Sequence, residues 1–298
     1  MNYTEFKDAL VSSVKEHLDA SIRVELRNVT KNNGVSLDAI VIVSDTSNVS
    51  PTLYINHLYG AYQNGESLSS IACHLIELNA RYKPKTNFDI SLITDFEKAK
   101  SNLIYKLINF DKNRDLLKNV PHIAFLDLAI VFYYQVPDIH YHDGFILITN
   151  DMLTTWGKTK EDVFSISKEN TKRLYKISVT KVYDLVCNRL SPEEQAVFEI
   201  ENIPLYILTN IANFNGANCL LDTDTLSSLS DMHESNLFII PSSIHETLFI
   251  PEDENPMDIE YMVDMVKYVN QTELTEQDIL SDHIYYFDRL EKKLSIAG

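Results

Sequence analysis

From residue 22 the chain alternates. Ile22, Val24 and Leu26 are separated by Arg23, Glu25 and Arg27, the period-two pattern of a strand with one buried face. A turn at KNNG (31–34) follows. GVSLDAIVIVS then returns with Val35, Leu37, Ala39, Val41 and Val43 read as its inward face, which makes a hairpin. Before the hairpin, Phe6, Leu10, Val14 and Leu18 recur at helical spacing, with Thr4 read as the cap. After it, LYINHLYGAYQ places Ile55, Leu58, Tyr59 and Tyr62 on one side and stops at Asn64-Gly65. ESLSSIACHLIELNA groups Leu68, Ile71, Ala72, Leu75 and Leu78, with Cys73 read inside that stripe. The order helix, hairpin, helix, helix predicts a small α+β domain over residues 1–90. RYKPKTNFD (81–89), basic and aperiodic around Pro84, marks its end.

Residues 91–298 read as a larger, strand-rich α+β domain. NLIYKLINF, VPHIAFLDLAIVFYYQV and DGFILIT are strand-like runs. Residues 159–174 read as a helix, with Thr159 and Asp162 in capping-box positions. Ser191, Pro192 and Glu194 signal another helix start. IPLYILTN and GANCLLD read as two strands around a turn at Asn215-Gly216, followed by a short helix over TDTLSSLSDMH. NLFIIP and ETLFIP form a second hairpin, with His245 and Glu246 starting its return strand. Asn255 and Pro256 open a helix whose stripe is Ile259, Met262, Val263 and Val266, and HIYYFDRL is the last strand. The fold class expected is α+β: largely antiparallel sheets with helices packed on one face, in two sub-domains.

Composition narrows the functional classes. The net charge of −17 argues against direct nucleic-acid binding and against anionic membrane surfaces, which need a basic face. The charge is uneven. Residues 251–298 carry 12 acidic and 4 basic side chains, whereas residues 81–120 carry 9 basic and 5 acidic. An acidic C-terminal surface permits a basic protein partner, or self-association with the basic stretch. Cys73, Cys187 and Cys219 follow no paired spacing and fit reduced thiols. With no signal-peptide pattern and no apolar run long enough to span a bilayer, the expectation is a cytoplasmic protein off the membrane.

No complete catalytic motif emerges. His245-Glu246 opens like HExxH, but position 249 is phenylalanine, and the segment reads as strand rather than helix. Ser242, Ser243, His245 and Glu246 are nevertheless chemically capable at one turn, and they are the candidate catalytic residues. His140, His142 and Asp143 in IHYHDG are candidate metal ligands, since histidines at i and i+2 of a strand share a face. His233-Glu234 is a second His-Glu pair without a further ligand. GxSxG, GxxxxGK[ST] and GxGxxG do not occur. No cofactor is implied. Asp222 and Asp224 read as acidic caps, and Trp156 as a helix-end residue packed on a neighbour. A non-enzymatic binding or scaffold protein is the expected function. The alternative is a hydrolase or metal-dependent enzyme built around His245/Glu246 or around His140/His142/Asp143.

The segment ILTNIANFNGANCLLDTDTLSSLSDMHESNLFIIPSSIHETLFIP resembles an uncharacterised family of gut-bacterial proteins, DUF 5688, over nearly the whole chain. LTN, NGA and PSSIHE are the most specific pieces, and NHLYGAYQNGESL is similar too. The resemblance implies a bacterial, cytoplasmic protein with no established activity, and it supplies no catalytic residues. A fainter likeness runs to the YtpQ-like proteins, another uncharacterised bacterial family, in a helix with a tryptophan and an acidic start followed by strand pairs.

Overall fold

The first helix, α1 (Tyr3–Glu16), is started by Asn2 rather than Thr4. The Asn2 side chain accepts from the Glu5 N–H, and the Glu5 carboxylate accepts from the Asn2 N–H, which closes a capping box. In this computed structural model, residues 1–84, 86–136, 144–187, 204–255 and 257–297 are described. Their contacts divide the chain into two compact units, one of Met1–Leu92 and one of Ile93–Val136 with Phe145–Gly298.

In the first unit, β1 (Arg23–Thr30), β2 (Ser36–Val43) and β3 (Thr52–Tyr54) form an antiparallel sheet in the order β1-β2-β3. The third strand takes the start of a segment that helical spacing alone assigns to a helix. The helix proper is the shorter α2 (Leu58–Gln63), stopped at Asn64, with Gly65 at φ +100°. The second long helix of the unit is α3 (Leu68–Tyr82), capped by Ser67. Register corrects the inward face of β2. Val24 pairs with Ile42 and Leu26 with Ile40. The core cluster therefore takes Ile40 and Ile42 with Val24, Phe6, Leu10 and Leu75, not the set from Val35 to Val43. Ala39 and Val41 are buried as well, so apolar residues occupy both faces of β2. Each large side chain in this cluster contributes roughly 1.5–3 kcal/mol by leaving water. Cys73 is exposed, a correction to its place in the α3 stripe.

In the second unit, β4 (Leu103–Asn109) and β5 (His122–Phe125) flank β6 (Leu128–Gln135), and β7 (Phe145–Leu147) also pairs with β6. Helix α4 (Asn150–Trp156) ends at Gly157 in the left-handed conformation. Trp156 is buried there, its indole N–H donating to the Ile93 carbonyl at 3.0 Å. Helix α5 (Lys160–Leu174) has the Thr159/Asp162 capping box read from the sequence. It is pinned to β4 by Asn170, whose Nδ2 donates to the carbonyls of Lys100 and Leu103.

A six-stranded antiparallel sheet completes the unit: β8 (Ile177–Lys181), β9 (Tyr206–Asn210), β10 (Leu237–Ile240), β11 (Thr247–Pro251), β12 (Tyr285–Asp288) and β13 (Lys293–Ile296). Their spatial order is β13-β12-β10-β11-β9-β8. β10 and β11 are the expected hairpin, and β13 is an additional strand after HIYYFDRL. GANCLLD is not a strand. Residues 216–221 form a 3₁₀ turn, and helix α6 (Thr223–Met232) follows with Asp222 as its cap. The last helix, α7 (Ile259–Thr272), is capped by Asp258, not Asn255; Pro256 lies outside the described residues. Its stripe places Met262 and Val266 on Phe238, Ile240 and Ile250 of the sheet. The fold is mixed α+β on antiparallel sheets. The helix start at 191–194 and residues 139–143 of the IHYHDG segment also fall outside the described residues.

Candidate functional site: a locked loop beside an apolar cleft

Residues 241–246 connect β10 to β11, so His245 and Glu246 sit just before the return strand rather than on it. The loop closes on itself. The Ser243 N–H donates to the Glu246 carbonyl at 3.0 Å, and Ser243 Oγ accepts from the His245 N–H at 3.0 Å. Ser243 is buried by this arrangement. The loop is then fastened to the segment after β9. The His245 carbonyl accepts from Gly216 N–H at 2.9 Å and from Thr209 Oγ1 at 2.8 Å, and the Ile244 carbonyl accepts from Ala217 N–H at 3.2 Å. Asn210 shapes the intervening turn. Its Nδ2 donates to the Phe214 carbonyl, and its Oδ1 accepts from Ala212 N–H.

The imidazole is drawn into the same network. His245 Nδ1 accepts from the Asn215 N–H at 3.2 Å. A backbone N–H can only donate, so Nδ1 carries no proton and the ring proton lies on Nε2. Nε2 faces Asp278 Oδ1 at 3.6 Å, and the Ile244 N–H donates to the Asp278 carbonyl at 2.9 Å. The Phe214 ring packs on the imidazole with centroids 5.3 Å apart. The nitrogen that would serve as a general base is thus occupied by main chain. The pieces LTN, NGA and PSSIHE, separated in sequence, are the two halves of one fastening.

Other reactive groups are similarly engaged. Cys219 is buried, its thiol donates to the Thr209 carbonyl at 3.3 Å, and burial pushes its pKa up to about 12, so it is no thiolate at neutral pH. Tyr105, whose hydroxyl donates to the Asn218 carbonyl at 3.3 Å, is raised by burial too. His233 lies 3.7 Å from Glu254 and edge-on to Tyr206. Asp127 accepts from Ser281 Oγ at 2.6 Å and from the Tyr285 hydroxyl at 2.8 Å, at the rim of a polar cleft of about 300 Å³ that Asp111, Asp282 and His283 also border. Among the described residues no group of three or more His, Cys, Asp or Glu side chains is arranged to hold a metal ion. His140, His142 and Asp143 lie outside those residues.

One candidate opens onto a cavity. Ser242, with Pro241, borders a cleft of about 370 Å³ between α7 and the β10–β11 hairpin. His245 and Glu246 do not line it. Its walls are apolar, with Leu248 and Ile250 from β11, and Met265 and Val269 from α7. Ser242, Asn270 and Tyr261 are the lining residues that carry polar groups. Asn270 is held from behind, its Nδ2 donating to the Ser281 carbonyl at 2.9 Å and to Asp282 Oδ1 at 2.7 Å. The sequence names Ser242 but gives no hint of the cleft, because its walls come from segments 65 positions apart at their extremes, Leu205 and Asn270.

Residues 3–289 match the model of a family described as a family of unknown function, DUF5688. No curated protein and no solved structure matches the chain.

Proposed function

Because the chain belongs to DUF5688, a family of unknown function, we propose from geometry that it is a soluble, cytoplasmic, non-enzymatic binding protein that holds an apolar moiety in the cleft beneath α7. The cleft carries this reading. Its volume of about 370 Å³ falls within the usual range for small-molecule sites, roughly 300–1,000 Å³, which are mostly apolar with a few fixed polar groups. Two methionines, Met257 and Met265, give adaptable walls. Ser242 at the rim is the hydrogen-bonding partner for one polar end of the guest. Support for binding over hydrolysis comes from His245, whose Nδ1 is spent on main chain. The acidic C-terminal segment makes a basic or neutral guest, or a basic partner protein, more compatible than an anion.

Association with the chain's own basic stretch is less supported. Lys100, Arg114 and Lys118 already pair with Glu97, Asp111 and Asp115 within their own turns, and Lys106 lies 4.0 Å over the Tyr133 ring. The test is titration with the neutral fluorescent probe phenylnaphthylamine. Saturable one-to-one binding is expected, abolished by Val269→Trp, which fills the cleft from α7. Failure of the probe to bind, or binding unchanged in the filled variant, refutes the proposal.

A further inference from the structure

β1 is an eight-residue strand at the edge of the three-stranded sheet, free of proline and extended throughout. Its outward backbone groups can be assigned. The Asp38 carbonyl accepts from the Ile55 N–H at 3.0 Å, so even-numbered residues of β2 point their main chain toward β3. Odd-numbered residues of β2 therefore bond β1, and through the register they meet Arg23, Glu25, Arg27 and Val29. Among the described residues no strand pairs with that side of β1, and Val24, Leu26 and Asn28 have their N–H and C=O directed off the edge. Such a row is a template for another strand. Leu26 is also 38% exposed.

From this edge we infer that the protein forms a two-fold homodimer in which β1 pairs antiparallel with β1 of a second copy, centred on Leu26. The charges select the register. Two-fold pairing that bonds the even-numbered groups can centre on Val24, Glu25, Leu26, Arg27 or Asn28. Centring on Glu25 sets glutamate against glutamate, and centring on Arg27 sets arginine against arginine. Centring on Val24 or Asn28 pairs only a few residues of the strand. Centring on Leu26 pairs Arg23 through Val29, with Glu25 opposite Arg27 of the copy twice over, Val24 opposite Asn28, and Leu26 opposite itself. The arrangement supplies about six main-chain hydrogen bonds, joins two three-stranded sheets into one, and satisfies the isologous symmetry usual for dimers. Within one chain Arg27 already bonds Glu25 on the same face, so both side chains are held where the partner pair would meet them. The contact is small, and the dimer is concentration-dependent.

Sedimentation equilibrium on the full chain at physiological ionic strength, where charges beyond roughly 8 Å are screened, tests the pairing. The average mass is expected to rise from one chain toward two with concentration. Glu25→Arg alone and Arg27→Glu alone each place like charges opposite one another twice, and each weakens association on the order of tenfold. The double variant restores it, and so does an equimolar mixture of the two single variants, because every opposed pair is again of opposite sign. Both side chains are solvent-facing, and far-UV circular dichroism confirms that the variants fold. A monomer up to the solubility limit overturns the inference, as does a dimer indifferent to both reversals. Neither outcome bears on the cleft, which lies in the other unit.

Discussion

A β-carbon placed on Gly216 would lie 2.1 Å from Thr209 Oγ1 and 2.4 Å from the His245 carbonyl oxygen. Those are the two partners that fasten the β10–β11 loop, so neither can withdraw without loosening it. Gly216→Ala is expected to lower stability by roughly 2–4 kcal/mol in urea denaturation. Gly60 provides the contrast. It lies in α2 with nothing within 4 Å of an added β-carbon, and Gly60→Ala should raise stability by up to about 1 kcal/mol. Similar effects for both variants would show that the fastening does not carry stability. At this scale the sequence was partly legible. Asn215-Gly216 was readable as a turn, and the Ser242–Glu246 cluster as a place of interest. The interaction joining them was not, because a carbonyl at 245 accepting from residues 209 and 216 leaves no mark in local periodicity.

Among the elements, α1 is tied to the sheet by a charge-assisted contact at Asp38. Lys7 Nζ donates to Asp38 Oδ2 at 2.9 Å, and that hydrogen bond holds the Asp38 carboxyl below its ordinary value of 3.8. A carboxyl depressed in the folded state contributes stability above its unfolded pKa and loses it as pH falls through the folded value. Stability of the first unit should therefore drop below pH 3.8, and Asp38→Asn should flatten that drop while lowering stability at neutral pH. Denaturation midpoints measured across the acid range check both. Elements with local signals were readable: α5 from its capping box, α3 from its stripe, β4 and β6 from continuous apolar runs. β2 misled because apolar residues occupy both its faces, and only pairing with β1 shows that Ile40 and Ile42 meet the helices. Residues 216–221 misled because a strand-like composition is overridden by the close approach at Gly216 and by the left-handed Asn215 before it. Asn255 lost the cap of α7 to Asp258, whose carboxylate accepts from the Tyr261 N–H at 2.7 Å.

Across the whole molecule, no helix among the described residues is long and apolar enough to cross a membrane. The fold class follows from alternating and helical patterns spread along the chain, so it could be read early. The cleft could not, since its walls come from β10, β11 and α7 and meet only in the folded unit. The chain contains a single tryptophan, Trp156, and it belongs to the second unit, buried against Phe96 and bonded to Ile93. Indole emission is consequently a spectroscopic signal from one half of the polypeptide, while circular dichroism sees both. Phe6→Ala, which removes a fully buried ring from the first unit, should destabilise that unit by about 3–5 kcal/mol. Its dichroism transition is expected to move early while the emission midpoint stays in place; a joint shift would mean that the halves melt cooperatively. The placement of one indole thus furnishes, without any label, an optical means of asking whether this polypeptide is one thermodynamic body or two.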